Sequence, residues 1–173
     1  GRFLNTGQSC IAAKRFIVVE SIREEFEAAL RSAMEAWAPG PPADPATTLG
    51  PMARDDLRDA LHDQVERSVQ AGARLICGGE VPDQPGAWYP PTLLADVGPG
   101  MPAYHEELFG PVAVIVPVPD EEAAIATAND TAFGLGASIY TRDSDRGERI
   151  AAERIEAGSC FVNGFVKSDP RLP

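Results

Sequence analysis

Two short stretches of the chain hold residue types that could do chemistry. The first, Asn5-Thr6-Gly7-Gln8-Ser9-Cys10, is polar, contains a glycine and ends in a cysteine just before the core-like run IAAKRFIVVE. A cysteine nucleophile acts as its thiolate and needs partial exposure with donors nearby. A glycine-containing segment leaves backbone N–H groups uncovered, and such donors can hold the oxyanion formed when a carbonyl is attacked. The same residues fit a plainer reading, in which Cys10 is a small side chain on a helix. The second stretch, Tyr104-His105-Glu106-Glu107-Leu108-Phe109-Gly110-Pro111-Val112, sets two carboxylates before an aromatic ring and a turn. One carboxylate can accept from both hydroxyls of a vicinal diol such as a ribose. Gly110 and Pro111 would fix the turn and hold Phe109 against a flat ring. The plainer reading here is a solvated charge pair.

The elements that must position these stretches follow from periodicity. RFIVVE (15–20) reads as a strand. Ser21 and Glu24 suggest a capping box for the helix that follows, with Ile22, Phe26, Ala29, Leu30, Ala33 and Trp37 on one face. PGPPADP must be a loop. A second helix fits from about Ala53 to Ala71, with Leu57, Leu61, Val65 and Val69 on one face and Gly72 to stop it. RLICGG, TLLADV and VAVIVPV read as strands, with a Pro- and Gly-rich loop after the first. Asp120 caps a helix through EEAAIATAN, LGASIYT is a strand, and Asp143 begins a helix that Gly158 ends. SCFVN is the last strand. Strands alternating with helices predict an α/β fold, an open, largely parallel twisted sheet flanked by helices. Ligands of such sheets sit beyond the carboxyl ends of strands, so the loops around 5–10, 104–111 and 164–172 are where chemistry is expected.

Composition narrows the function classes. A chain of 173 residues suits one domain. It can bury roughly 70% of its unfolded surface and needs no disulfide or metal staple. Fifteen Lys and Arg against 26 Asp and Glu give a net charge of -11, which repels phosphate backbones and argues against nucleic-acid binding. No apolar run approaches the roughly 18 residues of a membrane helix, so no membrane partner is expected. Cys10, Cys77 and Cys160 are odd in number, far apart and form no CxxC, which supports neither a disulfide framework nor a zinc site and suggests a reducing, cytoplasmic setting. Cys77 and Cys160 lie in short apolar runs and read as small buried hydrophobes.

Taken together, the two stretches resemble the catalytic domain of the aldehyde dehydrogenase superfamily. The family's cysteine signature, Asn-x-Gly-Gln-x-Cys, is matched by Asn5, Gly7, Gln8 and Cys10, and its Glu-x-Phe-Gly-Pro-Val signature by Glu107, Phe109, Gly110, Pro111 and Val112. NDTAFGLGASIYTRD and GSCFVNGFVKSDPRLP resemble two further family blocks, so the likeness runs the length of the chain. It implies that Cys10 attacks an aldehyde, with its own backbone N–H contributing to the oxyanion hole. It implies that Glu107 binds the nicotinamide ribose, with Phe109 beside the nicotinamide, and that the cofactor is NADP or NAD. The finer resemblance is to the bacterial succinate-semialdehyde dehydrogenase branch, through GRFLNTGQSC, LGPMARDDLRDALHDQV and VNGFVKSDPRLP. It places Ser9, Val166 and Ser168 at the substrate. Lys167 and Arg171 are nearby cations that face a substrate carboxylate or are simply solvated. Some relatives carry an arginine where Leu4 stands, and some a second cysteine where Ala12 stands.

The resemblance also implies that 1–173 is a fragment of a catalytic domain. The family's general-base glutamate, the oxyanion-hole asparagine, the cofactor-binding domain and a C-terminal assembly segment are expected to lie outside it. The whole enzyme would then be a homo-oligomer, a dimer or tetramer, and the isolated chain would fold without turning over. Two rival readings are a non-catalytic fragment that needs a partner domain, and a cysteine hydrolase pairing Cys10 with His62 or His105.

Overall fold

The computed structural model describes residues 1–168, so Arg171 lies outside the described residues. A four-stranded sheet in the order β1-β4-β3-β2 is built from β1 (Phe16–Val19), β2 (Arg74–Cys77), β3 (Thr92–Ala95) and β4 (Val112–Val118). β4 runs parallel to both β1 and β3, with Phe16 opposite Ile115 and Thr92 opposite Val112. β2 is the exception to the alternation of strands and helices. It joins β3 through a long loop with no helix and pairs antiparallel at the sheet edge. β5 (Ala137–Ile139) and β6 (Cys160–Val162) form a separate parallel pair, crossed over by α5 (Ser144–Glu153). The expected open, largely parallel α/β sheet is present, with β5 and β6 as a second, two-stranded sheet.

β4 is the centre of the core and is buried on both faces, as a near-continuous apolar run requires. Val112, Val114 and Val116 point to one side, against Leu61 and Val65 of α2 (Asp55–Gln70), with Met52, Tyr104 and Leu108 completing that cluster. Ala113 and Ile115 point to the other, against Phe3, Met34 and Leu49, with Phe26, Leu30 and Trp37 packed alongside. This period of two is that of the strand.

Both large helices bury part of the faces the sequence suggested, Phe26, Leu30 and Trp37 on the first and Leu61 and Val65 on the second. α1 (Arg23–Glu35) turns Phe26, Leu30 and Met34 inward and leaves Ile22, Ala29 and Ala33 exposed. α2 buries Leu61, Val65 and Ser68 while Leu57 and Val69 are exposed. The Ser21 capping box does not form, because Glu20–Ile22 is a 3-10 turn and α1 begins without a side-chain cap. The end of α2 is as expected. Gly72 N–H donates to the Val69 carbonyl and Ala73 N–H to the Ser68 carbonyl, a Schellman closure with Gly72 at φ +110°. Asp120 caps α4 (Glu121–Asn129) through Ala123 N–H, and Asp143 caps α5 through Arg146 N–H. α5 stops at Glu153, well before Gly158.

The parallel pairing brings the two chemical stretches together. Cys10 lies on the segment leading into β1, and 104–111 leads into β4 by way of α3 (Pro102–His105). Parallel neighbours start at the same end of a sheet, so these two segments meet. They meet at the amino ends of β1 and β4, not beyond the carboxyl ends as expected. Only the 164–168 segment follows a strand, β6.

Candidate active site

Cys10 sits on a turn, not a helix. Ala12 N–H donates to the Ser9 carbonyl at 3.0 Å, which closes the turn and puts Cys10 at its second position. Its thiol is exposed, whereas Cys77 and Cys160 are partly buried. Burial pushes both of those thiols up from the ordinary cysteine value. The Cys10 N–H has no partner among the described residues, which leaves it open to an oxyanion.

The turn is set by an unusual backbone run before it. Asn5, Thr6 and Gly7 are all left-handed, at φ 52°, 56° and 72°. The conformation is held locally and from α2's approach. Asn5 Nδ2 donates to the Gln8 carbonyl at 2.9 Å, Thr6 Oγ1 to the Gly50 carbonyl at 3.2 Å, and Ala53 N–H to Gln8 Oε1 at 2.9 Å. Gln8 thus anchors the turn to the start of α2.

Gly7 lies directly on the Gly110 carbonyl, where a Cβ would overlap it, and Gly110 lies in turn against Leu61 and Met52. The two signature glycines are therefore a contact between the stretches, which permits backbones to approach where any side chain would separate them.

Arg2, which the sequence reading did not single out, completes the junction. It is 6% exposed, with Nη1 donating to the Ala13 carbonyl at 3.1 Å. Nη2 faces the Leu108 carbonyl at 2.6 Å, the Gly7 carbonyl at 3.4 Å and the Gly110 carbonyl. Nε is buried without a partner. Desolvation pulls Arg2 down to about 10 against the attraction of Glu107, so it remains charged near neutrality. Lys14, from the same segment, donates to the Tyr104 carbonyl at 2.6 Å and lies 5.1 Å from the Phe133 ring centre. Burial and then Arg15 lower it to about 8, while Glu107 and Glu106 oppose the shift.

The paired carboxylates separate in role. Glu106 takes Arg67 at 3.1 and 3.2 Å and Gln64 Nε2 at 2.9 Å, and these partners hold it below the usual carboxylate range. The Glu107 carboxylate is exposed and has no hydrogen-bond partner among the described residues, while its backbone carbonyl accepts from Gln64 at 3.3 Å. Phe109 is 42% exposed. Glu107 and Phe109 border an open cleft of about 340 Å³ against Leu57, Leu61 and Gln64 of α2. A free carboxylate beside an exposed ring suits a ribose joined to a flat heterocycle, so these residues fit a nicotinamide nucleotide.

The substrate residues are less convergent. Ser9 belongs to the Cys10 turn. Val166 packs at Gly136, where a Cβ would come within 2.6 Å of it, and Ser168 and Lys167 are exposed. No hydrogen bond among the described residues links Val166 or Ser168 to the Cys10 turn. Both histidines are engaged elsewhere. His62 Nδ1 is 3.1 Å from the Tyr89 hydroxyl, and His105 Nε2 accepts from Gly100 N–H at 3.1 Å. Among the described residues no cluster of His, Cys, Asp or Glu fits a metal, and no helix is long and apolar enough to cross a membrane.

Comparison with known proteins gives the family. The family model described as "Aldehyde dehydrogenase family" matches residues 1–173. The chain is 46% identical over 173 residues to the NADP(+) succinate-semialdehyde dehydrogenase of Deinococcus radiodurans, covering 100% of this chain and 36% of that protein. It is 50% identical over 172 residues to the NAD(P)+ succinate semialdehyde dehydrogenase Sad of Escherichia coli K12, covering 99% and 37%. The crystal structure of succinic semialdehyde dehydrogenase from Streptococcus pyogenes with NADP+ superposes with a TM-score of 0.95 at 38% identity, over 99% of this chain and 38% of that one. The chain thus spans a little over a third of the length of these relatives.

Proposed function

The chain belongs to the aldehyde dehydrogenase family, and from that premise we propose that it forms part of the catalytic domain of an NADP- or NAD-dependent enzyme oxidising succinate semialdehyde to the dicarboxylate. The observation that carries the reading is the exposed Cys10 turn fixed against the Glu107–Phe109 loop through Arg2 and the Gly7–Gly110 contact. The Cys10 thiolate forms the C–S bond to the aldehyde carbon, and the carbonyl oxygen takes up the displaced electron pair. The free Cys10 N–H stabilises that oxyanion. A bound nicotinamide would supply the hydride acceptor, and the thioester then left on Cys10 is cleaved by water to the acid and the free thiol. Glu107 would hold the ribose hydroxyls, with Phe109 beside the nicotinamide. Positioning is what this chain contributes; the hydride chemistry is the cofactor's.

The named relatives support succinate semialdehyde as substrate. Ser9, Val166 and Ser168 are proposed to face it, and the whole enzyme is proposed to be a cytoplasmic homo-oligomer. The engagement of His62 with Tyr89 and of His105 with Gly100 leaves Cys10 without a histidine partner, which favours this reading over a cysteine hydrolase. The test is steady-state turnover of the full-length protein and its Cys10→Ser variant with NADP+ or NAD+. Cysteine-dependent reduction, with kcat/KM higher for succinate semialdehyde than for butanal, is expected. Equal values remove the carboxylate preference. No cysteine-dependent reduction of either cofactor overturns the assignment.

A further inference from the structure

We propose that Arg2 is a positioning residue that holds the nucleophile turn and the Glu107–Phe109 loop in one fixed relation. The proposal rests on the roles given above to Cys10 and Glu107. Its four carbonyl partners divide evenly between the two segments, Gly7 and Ala13 on one and Leu108 and Gly110 on the other. Those carbonyls bracket Cys10 on both sides and bracket Phe109 on both sides. No other described side chain donates to the backbone of both segments.

The energetics favour this role over simple packing. A guanidinium that is 6% exposed and leaves Nε without an acceptor is a poor choice for filling space. Its planar fork, however, reaches acceptors on two sides at once, which an ammonium on a flexible stem does less well. The Arg2 charge is in turn attracted by Glu107, the group proposed to meet the ribose. Lys14 braces the same loop one turn earlier, at the Tyr104 carbonyl. Gly7 and Gly110, which touch by their backbones, bring no side chain of their own to keep the register if the clamp is released. Loss of Arg2 should then move the thiol and the ribose carboxylate apart together.

The test uses the full-length enzyme with Arg2→Met and Arg2→Lys. Three readouts are followed: kcat, the KM for NADP+, and the iodoacetamide alkylation rate of Cys10 by mass spectrometry, with Cys77 and Cys160 as monitors of folding. The wild type is expected to alkylate first at Cys10. Arg2→Met is expected to raise the cofactor KM and slow Cys10 alkylation, each on the order of 10-fold or more, since small misplacements of reacting groups carry such factors. Arg2→Lys should recover part of both. A fall in kcat with cofactor KM and Cys10 alkylation unchanged would mark Arg2 as merely structural and overturn the proposal. If Cys77 and Cys160 of Arg2→Met label as fast as Cys10, that variant is unfolded and Arg2→Lys decides: wild-type KM and alkylation there also overturn it. A wild type that reduces neither cofactor refutes the proposed function instead, and the Cys10 alkylation rates of wild type and Arg2→Lys then decide the clamp alone.

Discussion

Glu106 and Glu107 carry the same charge on adjacent residues, and the difference between them is one of partners. Glu106 is tied to Arg67 and Gln64, while the Glu107 carboxylate has no such tie. Glu107→Gln should therefore slow hydride transfer in the full-length enzyme on the order of 100-fold, because a misplaced ring loses near-attack geometry. Glu106→Gln breaks a pair whose side chains are about two-fifths exposed, and should cost roughly 1 kcal/mol or less of stability with hydride transfer little changed. Single-turnover absorbance at the reduced cofactor's band checks both. If Glu106→Gln is the more damaging to hydride transfer, the register from Phe109 back to the ribose ligand is wrong. The sequence points to Glu107 only through its spacing to Phe109-Gly110-Pro111. The tie that engages Glu106 was not legible, since Arg67 lies 39 residues away on α2. Arg2 was hidden for the same reason. Its acceptors at Leu108 and Gly110 are 106 and 108 residues distant, and they are backbone atoms, which carry no residue-type signal.

The elements around the site differ in how much their glycines matter to chemistry. Gly7 and Gly72 both have positive φ, and alanine at such positions costs about 1–2 kcal/mol from backbone strain. Gly72 ends α2 with room beside it; the nearest atom to a Cβ there is Met101 Cε at 3.6 Å. Gly72→Ala should lower the urea midpoint and leave kcat unchanged. Gly7→Ala meets the Gly110 carbonyl as well, so it should lower stability further and also reduce kcat/KM. Paired urea titrations and kinetics would check this, and a Gly7→Ala enzyme with wild-type kcat/KM would contradict it. The sequence revealed β4, the ends of α2 and the caps Asp120 and Asp143 because those depend on local chemistry. It placed only part of each helix face because rotation about a helix axis is settled by what packs opposite. On α1, Met34 joins Phe3 and Leu49 in the buried cluster while Ala33 is exposed. The break between β4's sheet and the β5–β6 pair was likewise invisible, because a strand's sequence does not name its neighbour.

At the scale of the whole molecule, the buried cations make stability depend on pH. Lys14 has a folded value of about 8 against 10.5 for the free side chain. Between these values the unfolded chain binds more protons than the folded one, so stability rises with pH through this window. Below about 8 the folded protein holds the charged amine in a half-dry site and the penalty is fully present. The urea midpoint of wild type should therefore rise relative to that of Lys14→Gln from pH 8 towards 10.5. A difference between the two that stays constant across that range would show that Lys14 is not desolvated. Titration of the other groups is common to both proteins and cancels in the comparison.

The distance along the chain between Arg2 and its acceptors has a further consequence, for timing. A contact spanning more than a hundred residues closes a long loop, and such contacts form after local ones. Of the left-handed residues before Cys10, Thr6 above all is unfavourable until something holds it, since it has none of the freedom of Gly7. Helices α1 and α2 can be shaped before either condition is met. The Cys10 turn cannot take its final form until β1 and β4 lie side by side and the guanidinium has reached across. A nascent or partly unfolded chain therefore carries Cys10 as an ordinary thiol on a loose tether, and its fixed place beside the Glu107–Phe109 loop appears only when the sheet is finished.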